Sequence, residues 1–168
     1  MINSRTFLIA AFFTGAALSA EAKVLSEHGD WIAAQEMENG KPACVMSSTP
    51  QKSEGKYARR GDIFALISHR PAEKRIGEVG FQAGYTFKKG SDVTVTIDRK
   101  KSFKLFTHGE FAWTTDAKMD KNIAAAMRAG STLVVEGVSS RGTQTRDTYS
   151  LKGFTAALKA INTACGVK

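Results

Sequence analysis

Apolar residues recur in short stretches separated by turn-forming residues, and this spacing constrains the fold more than any other feature of the sequence. The clearest case is Val93, Val95 and Ile97, which alternate with polar residues. A period of two is typical of a strand with one buried face. Similar short stretches between turn signals predict further strands. They are residues 30–35, 43–46, 62–68, 78–87 with a bulge at Gly84, 103–106, 131–138 and 143–149, and residues 47–61 are predicted to be a loop.

Two other segments show the periodicity of an amphipathic helix. In residues 115–129, apolar side chains recur four, seven and eight positions after Met119. Near the C-terminus, apolar residues recur three, four, seven and eleven positions after Phe154. The last of these is Cys165, which therefore lies on the buried stripe of the second helix. About seven or eight strands with one inserted helix and one C-terminal helix predict a single antiparallel β-sandwich domain.

The first 22 residues have the pattern of a secretory signal peptide. Arg5 precedes an apolar run over residues 7–18, and small residues follow, so we expect cleavage after Ala20 or Ala22. The run is shorter than the roughly 20 apolar residues that a membrane-spanning helix needs. The sequence therefore predicts a periplasmic or secreted domain over residues 23–168 with no transmembrane segment.

Export changes the expectation for the two cysteines, Cys44 and Cys165, which lie near the two ends of the mature chain. Cysteines in an oxidising compartment usually pair with each other. The alternative is a catalytic thiol with a histidine base, but pairing removes that nucleophile. We therefore predict a structural disulfide between an early strand and the terminal helix.

The chain carries a net charge of +8. The positions of the basic residues along the sequence indicate what kind of partner the protein contacts. Residues 52–75, 88–104 and 141–168 each hold four more basic than acidic residues, whereas residues 21–51 are acidic. These basic segments are loops and turns without the interleaved aromatic residues of single-strand nucleic-acid binders. We expect an anionic envelope or host-surface molecule as partner, and no nucleic acid. The candidate contacts in the basic loops are Lys56, Arg59, Arg60, Lys100 and Lys101.

One arm of the last predicted hairpin is polar on both faces, which places it near a sheet edge or at a binding surface. Such an arm can hold a carboxylate, a phosphate or sugar hydroxyls, or it can serve a protein–protein adaptor. The alternative is an edge hairpin whose charge pairs only maintain the fold, with Arg141 and Arg146 as the expected partners of Asp147 and Glu136. The candidate residues of this arm are Arg141, Thr143, Thr145, Arg146, Asp147 and Tyr149.

Other motifs give little support for receptor binding, metal binding or catalysis. Arg60-Gly61-Asp62 spells a tripeptide that integrins can bind, but Asp62 leads directly into a predicted strand, which favours a chance occurrence. His28, His69 and His108 are too widely spaced for a metal motif, and we expect His69 at a strand end. No G-x-S-x-G is present. We predict no cofactor, no metal and no enzymatic activity, with a hydrolase as the least favoured alternative.

A set of segments in the later two thirds of the chain carries a wider pattern: residues 62–71, 78–79, 84–91, 103–106, 112–113, 126–127 and, most densely, 141–154. With the early tryptophan and the two cysteines, they resemble the invasion-associated locus B family of alphaproteobacterial secreted proteins. Thr86 departs from the pattern, since the family has a proline there. The resemblance implies an exported, immunoglobulin-like β-sandwich connected with invasion, and it implies neither a known reaction nor catalytic residues.

Overall fold

The structure, a computed structural model, describes residues 22–168. The predicted signal peptide therefore lies outside the described residues, apart from Ala22. Neither helix in the described residues has the length and hydrophobicity that a membrane-spanning helix requires. Eleven strands and two α-helices follow each other along residues 22–168. They are β1 (Lys23–His28), β2 (Trp31–Glu38), β3 (Lys41–Ser48), β4 (Lys52–Gly55), β5 (Phe64–Arg70), β6 (Arg75–Gln82), β7 (Asp92–Ile97), β8 (Lys101–His108), β9 (Phe111–Trp113), α1 (Ala117–Ala129), β10 (Thr132–Val138), β11 (Gln144–Ser150) and α2 (Phe154–Ala164).

The strands form one antiparallel sheet in the order β1-β2-β3-β5-β6-β9-β8-β7-β10-β11-β4. The sheet folds back on itself, so that residues near its two ends come into contact. Trp31 Nε1 donates to Ser150 O at 3.0 Å, and the backbone N–H of Asp30 donates to Lys152 O at 3.0 Å. Helix α2 packs on β1, β2 and β3, and helix α1 packs on β6. The predicted antiparallel β architecture with one inserted helix and one C-terminal helix is confirmed.

Alternating side chains build the core between the layers. Val93, Val95 and Ile97 are buried on one face of β7, as their spacing predicts. The Trp31 ring meets the Phe154 ring edge-to-face at 5.0 Å, which docks the first turn of α2 on the sheet. One cluster of buried residues extends from these strands to both helices, so the described residues share a single core.

Three strands were not predicted, and one predicted strand has different bounds. Strands β1, β4 and β9 lie outside the predicted set, and β4 falls in the segment that was predicted to be a loop. Strand β6 ends at Gln82, and Gly84 follows it in a turn with a φ of +68°. The reason is a close backbone contact, since a Cβ at Gly84 would lie 2.4 Å from the carbonyl oxygen of Gly61. The predicted bulge at Gly84 is therefore wrong, and the irregularity of this strand pair falls between Ser68 and His69.

The predicted disulfide between Cys44 and Cys165 is confirmed, with 6.0 Å between the two Cα atoms. Cys44 is fully buried on β3, and Cys165 directly follows α2. The bond therefore fixes the C-terminal end of α2 on the sheet, opposite the end that Phe154 docks.

A buried histidine lies beside this disulfide. His69, near the end of β5 as expected, is paired across the sheet with Cys44. Its Nε2 lies 2.8 Å from Asn162 Oδ1, and its Nδ1 accepts the backbone N–H of Gly77 at 2.9 Å. This arrangement requires the neutral ring, because protonation would convert Nδ1 into a donor facing another donor. Burial lowers the pKa of His69 below its ordinary value.

We expect this histidine to make stability fall in weak acid. Above about pH 6.5 its contribution is fully present, because the ring is neutral in both folded and unfolded chains. As the pH falls below that value, the unfolded chain binds a proton that the folded chain excludes, so the free energy of unfolding decreases. Urea unfolding at pH 7.5 and pH 5 measures the loss. His69→Gln should reduce it, and exposed His108→Gln is the matched control; equal loss in all three proteins would contradict the assignment.

Candidate functional site

A buried ion pair links the segment before β5 to strand β11. Arg60 Nη1 donates to Asp147 Oδ1 at 2.7 Å, and Arg60 Nη2 donates to Asp147 Oδ2. Arg60 Nε donates to Ala83 O at 2.7 Å. The side chains of Arg60 and Asp147 are only 3% and 4% exposed. The pair is thus bidentate and desolvated, the geometry in which a guanidinium–carboxylate contact is strongest.

Two tyrosines enclose the guanidinium of this pair. The centre of the Arg60 guanidinium lies 5.2 Å from the ring of Tyr57 and 5.1 Å from the ring of Tyr85, within the range of cation–π attraction. Tyr85 also shares a hydrogen bond of 2.5 Å with Thr145 on β11. We call Tyr57, Arg60, Tyr85 and Asp147 the Arg60 clamp. Because its members come from three separate segments, the clamp fixes residues 56–61 against the sheet.

Burial and neighbouring charges shift the pKa of Arg60, Tyr85 and the nearby Tyr149. Burial lowers the pKa of Arg60, but the hydrogen bond and the charge of Asp147 raise it, and the net shift is upward. Burial raises the pKa of Tyr85. Burial, with the nearby Asp147 charge, also raises the pKa of Tyr149, which follows Asp147 on the same face of β11. The guanidinium is therefore permanently charged, and both phenols are neutral at physiological pH.

The two tyrosines of the clamp, Tyr57 and Tyr85, form one wall of a pocket of about 510 Å³. Backbone hydrogen bonds hold the other walls together: Gly61 donates to Gly84 O and Ser140 donates to Thr86 O, both at 2.8 Å. We call this cavity the basic pocket. It is lined by Lys56, Tyr57, Ala58, Arg59, Tyr85, Thr86, Ser139, Ser140, Arg141, Thr143 and Thr145.

The basic pocket carries positive charge that the protein does not neutralise. Lys56, Arg59 and Arg141 are exposed, and none of them forms an ion pair within residues 22–168. The lining includes no carboxylate, but it includes hydroxyls of serine, threonine and tyrosine. Three free cations around hydroxyl groups can hold a phosphate, sulfate or carboxylate together with the hydroxyls of a sugar.

The structure brings together five of the residues that the sequence analysis selected. Lys56, Arg59, Arg141, Thr143 and Thr145 all line the basic pocket. Residues from a loop and a hairpin that lie more than 80 positions apart in the sequence therefore share one cavity.

Asp147 and Tyr149 do not fit the role of ligand contacts, because they are only 3% and 1% exposed. Arg146 points to the opposite face of β11, since neighbouring side chains on a strand alternate. There it forms an exposed ion pair of 2.5 Å with Glu136, as predicted. The expectation that Arg141 or Arg146 pairs with Asp147 is wrong, because Arg60 occupies that carboxylate.

Lys100 and Lys101 lie far from the basic pocket. They follow β7, whose last residue Ile97 pairs with the start of β10, whereas Ser139 follows the end of β10. A strand of this length separates the two positions by about 20 Å. The two basic loops that the sequence analysis selected therefore do not form one surface.

The hairpin arm is also not the edge of the sheet. Strand β4 pairs with β11 through residues 52–55, so β11 lies next to the edge of the sheet and not at it. Thr145 is polar because it bonds Tyr85, and Asp147 is polar because it pairs with Arg60. The edge position belongs to β4. The prediction of an edge hairpin is corrected accordingly.

The tripeptide at residues 60–62 does not present its arginine to a receptor. The Arg60 side chain is buried in the clamp, so an integrin cannot reach it. Among residues 22–168 no three His, Cys, Asp or Glu side chains are grouped as metal ligands.

Sequence reasoning missed Tyr57, Tyr85 and Thr86. Their segments have no periodicity, and Tyr57 lies among charged loop residues. The available sequence signal was the pair of glycines, Gly61 and Gly84, which permit the close backbone approach that aligns these segments.

The protein-family model described as "Invasion associated locus B (IalB) protein" matches residues 31–162. The crystal structure of invasion associated protein B from Bartonella henselae is similar in fold, with a TM-score of 0.58 and 19% identity, over 83% of this chain and 95% of that chain. At this identity the likeness shows the fold alone. No curated protein matches the chain. The basic pocket and the Arg60 clamp lie wholly within the matched range.

Proposed function

This chain belongs to the invasion associated locus B family, and we propose that it is an exported binding protein whose basic pocket holds an anionic group of an envelope or host-surface molecule. The observation that carries the proposal is the set of three free cations, Lys56, Arg59 and Arg141, around a pocket without carboxylates. The ligand class that suits this pocket is a phosphorylated or sulfated saccharide.

The chemistry of the lining favours this ligand class. Arg59 and Arg141 present planar forks that match the oxygens of a phosphate or sulfate, and Lys56 adds a compact charge. Tyr57 is 37% exposed and presents part of an aromatic ring to a sugar. Ser140 and Thr86 offer hydroxyls for the ring oxygens of the same ligand.

Binding without catalysis is the mode that the lining supports. The basic pocket holds serine, threonine, lysine and tyrosine side chains, but its lining has no histidine or carboxylate that could act as the base to activate one of them as a nucleophile. A protein partner that adds a strand to β11 is less favoured, because β4 already occupies that side. The protein from Bartonella henselae is described as invasion associated, which agrees with a host-surface ligand for this chain.

Charge reversal at the basic pocket tests the proposal. We expect Arg59→Glu/Arg141→Glu to weaken binding to heparin and to lipopolysaccharide at least about tenfold, because two guanidinium contacts become repulsive. Kd is measured at low and at physiological ionic strength, and higher salt should weaken binding of the unaltered protein.

Lys100→Glu/Lys101→Glu is the matched control, since it changes the net charge equally at the far end of β10. We expect a change of less than about threefold in that variant, from long-range charge alone. Equal losses in both variants would indicate a nonspecific basic surface and would reject the pocket. Failure of the unaltered protein to bind either polymer at low ionic strength would also reject it.

A further inference from the structure

A second groove, of about 460 Å³, lies between the outer face of the sheet and the beginning of α1. It shares no lining residue with the basic pocket. Its apolar walls are Ile76, Phe106 and Trp113, and the first two are 39% and 45% exposed. Its acidic members are Glu78, Asp116 and Asp120. Its size is typical of binding sites, and its apolar walls face several polar and charged groups.

Asp120 supplies an acceptor atom, Oδ2, at this groove. The residue is only 6% exposed. Its Oδ1 accepts two hydrogen bonds, from the backbone N–H of Val79 at 2.8 Å and from Thr114 Oγ1 at 2.5 Å. Across the described part of the chain no group donates to Oδ2, although the carboxyl group lines the groove. One oxygen of a buried carboxyl group is thus available to a donor that enters from outside.

The surroundings of Asp120 favour a cation over a neutral donor. Burial raises the pKa of Asp120, and the charge of Glu78 adds to that rise, so a positive group beside it would stabilise the ionised form. Arg75 does not supply that group, since Glu78 at 2.6 Å and Glu73 at 3.5 Å hold its guanidinium. Lys74 is an exposed member of the lining, and its charge opposes a second cation in the groove.

The aromatic wall is fixed before any ligand arrives. Trp113 stacks on Phe111 with ring centroids 5.2 Å apart and planes 13° apart. The absence of a side chain at Gly80 leaves room for the indole, because a Cβ there would lie 2.4 Å from the ring. Phe106 pairs with Trp113 across β8 and β9. A rigid indole beside an exposed phenyl ring offers cation–π attraction without an ordering cost.

We propose that this groove binds a lysine side chain of a partner protein, with the ammonium donating to Asp120 Oδ2. The four-carbon stem lies against Ile76 and Phe106, which suits a side chain that combines an apolar stem with a charged end. Arginine fits less well, because its fork needs two free carboxylate oxygens and Asp120 Oδ1 already accepts two bonds. A quaternary ammonium fits less well because it has no N–H to donate.

A ligand series on the unaltered protein tests this assignment. The probes are the Nα-acetyl, N-methylamide derivatives of lysine, arginine and ε-trimethyllysine, followed through the indole N–H resonance of Trp113. The second tryptophan, Trp31, is fully buried and serves as internal reference. We expect saturable shifts with lysine and at least about tenfold weaker binding of the other two probes, from the lost hydrogen bond or its mismatched geometry. Equal binding of lysine and trimethyllysine would overturn the proposal.

Asp120→Asn is the matched variant, because an asparagine oxygen can still accept the bonds from Val79 and Thr114. We expect the fold to persist and lysine binding to fall about tenfold, since an NH₂ group then faces the ammonium. Asp92→Asn, an exposed carboxylate outside the groove, should leave binding unchanged. Unaltered lysine affinity in Asp120→Asn would overturn the proposal. If that variant fails to fold, Lys74→Gln replaces it: tighter lysine binding supports the proposal, and unchanged or weaker binding contradicts it.

Discussion

Asp147→Asn is expected to lower the free energy of unfolding by about 3–5 kcal/mol, because it leaves the Arg60 guanidinium buried without its counter-charge. Both side chains are almost fully enclosed, and both carboxylate oxygens accept from the guanidinium. The amide can accept only one of those two bonds, and its NH₂ group then faces a donor. Urea unfolding monitored by Trp fluorescence measures the loss.

The control for this prediction is the neighbouring ion pair, which joins Arg146, one residue before Asp147 on β11, to Glu136 on β10. Glu136→Gln removes the ion pair with Arg146, whose side chains are each 45% exposed. We expect a loss below about 1 kcal/mol, because solvent screens an exposed pair and hydrates the residue that remains. Losses of similar size in the two variants would show that burial of the Arg60 pair does not determine its contribution.

The same substitution should also disturb the basic pocket. Lys56 and Arg59 lie on the segment that the Arg60 clamp fixes to the sheet, and neither touches Asp147. Loss of the clamp frees that segment to sample other positions, so anion binding should weaken although no ligand contact is removed. Native-state trypsin digestion, which cleaves after both residues, should become faster in Asp147→Asn and stay unchanged in Glu136→Gln.

The sequence predicts those strands whose buried and exposed side chains alternate in a recognisable pattern. Strand β7 was predicted because its buried and exposed residues alternate in one register between two neighbours. Strand β4 was missed because it joins β11 through backbone hydrogen bonds and exposes most of its polar side chains. An edge strand of this kind leaves no hydrophobic pattern, since any residue has the backbone groups that pairing needs.

The sequence indicates which basic residues belong to the candidate site, but it does not indicate which of them pairs with Asp147. The free cations Lys56, Arg59 and Arg141 follow from local charge. The partner of Asp147, however, lies 87 residues away, while Arg141 and Arg146 are closer along the chain. Strand alternation turns Arg146 away from Asp147, and the approach of Gly61 to Gly84 brings Arg60 into reach. Such a pairing depends on the complete topology, and local sequence does not encode it.

Removal of the disulfide is expected to have a comparable effect on stability. The bond closes a loop with a sequence separation of 121. Loop-closure entropy for a loop of this size corresponds to about 4–5 kcal/mol at room temperature. Cys44→Ala/Cys165→Ala should therefore lower the free energy of unfolding by about that amount, measured by urea unfolding. Reduction of the unaltered protein should give the same midpoint as the double variant.

The position of the Cys44–Cys165 disulfide predicts which part of the protein unfolds locally first when the disulfide is removed. Phe154 still anchors the first turn of α2 on Trp31, but nothing covalent then holds the last turn, which ends beside Cys165. Amide hydrogen exchange should accelerate first at residues 161–165, while β7 and β10 stay protected because both lie inside the sheet. A reducing agent added to the double variant should change neither exchange nor stability. A uniform acceleration across all strands would contradict this local role and would mean that the bond acts only through the entropy of the unfolded chain.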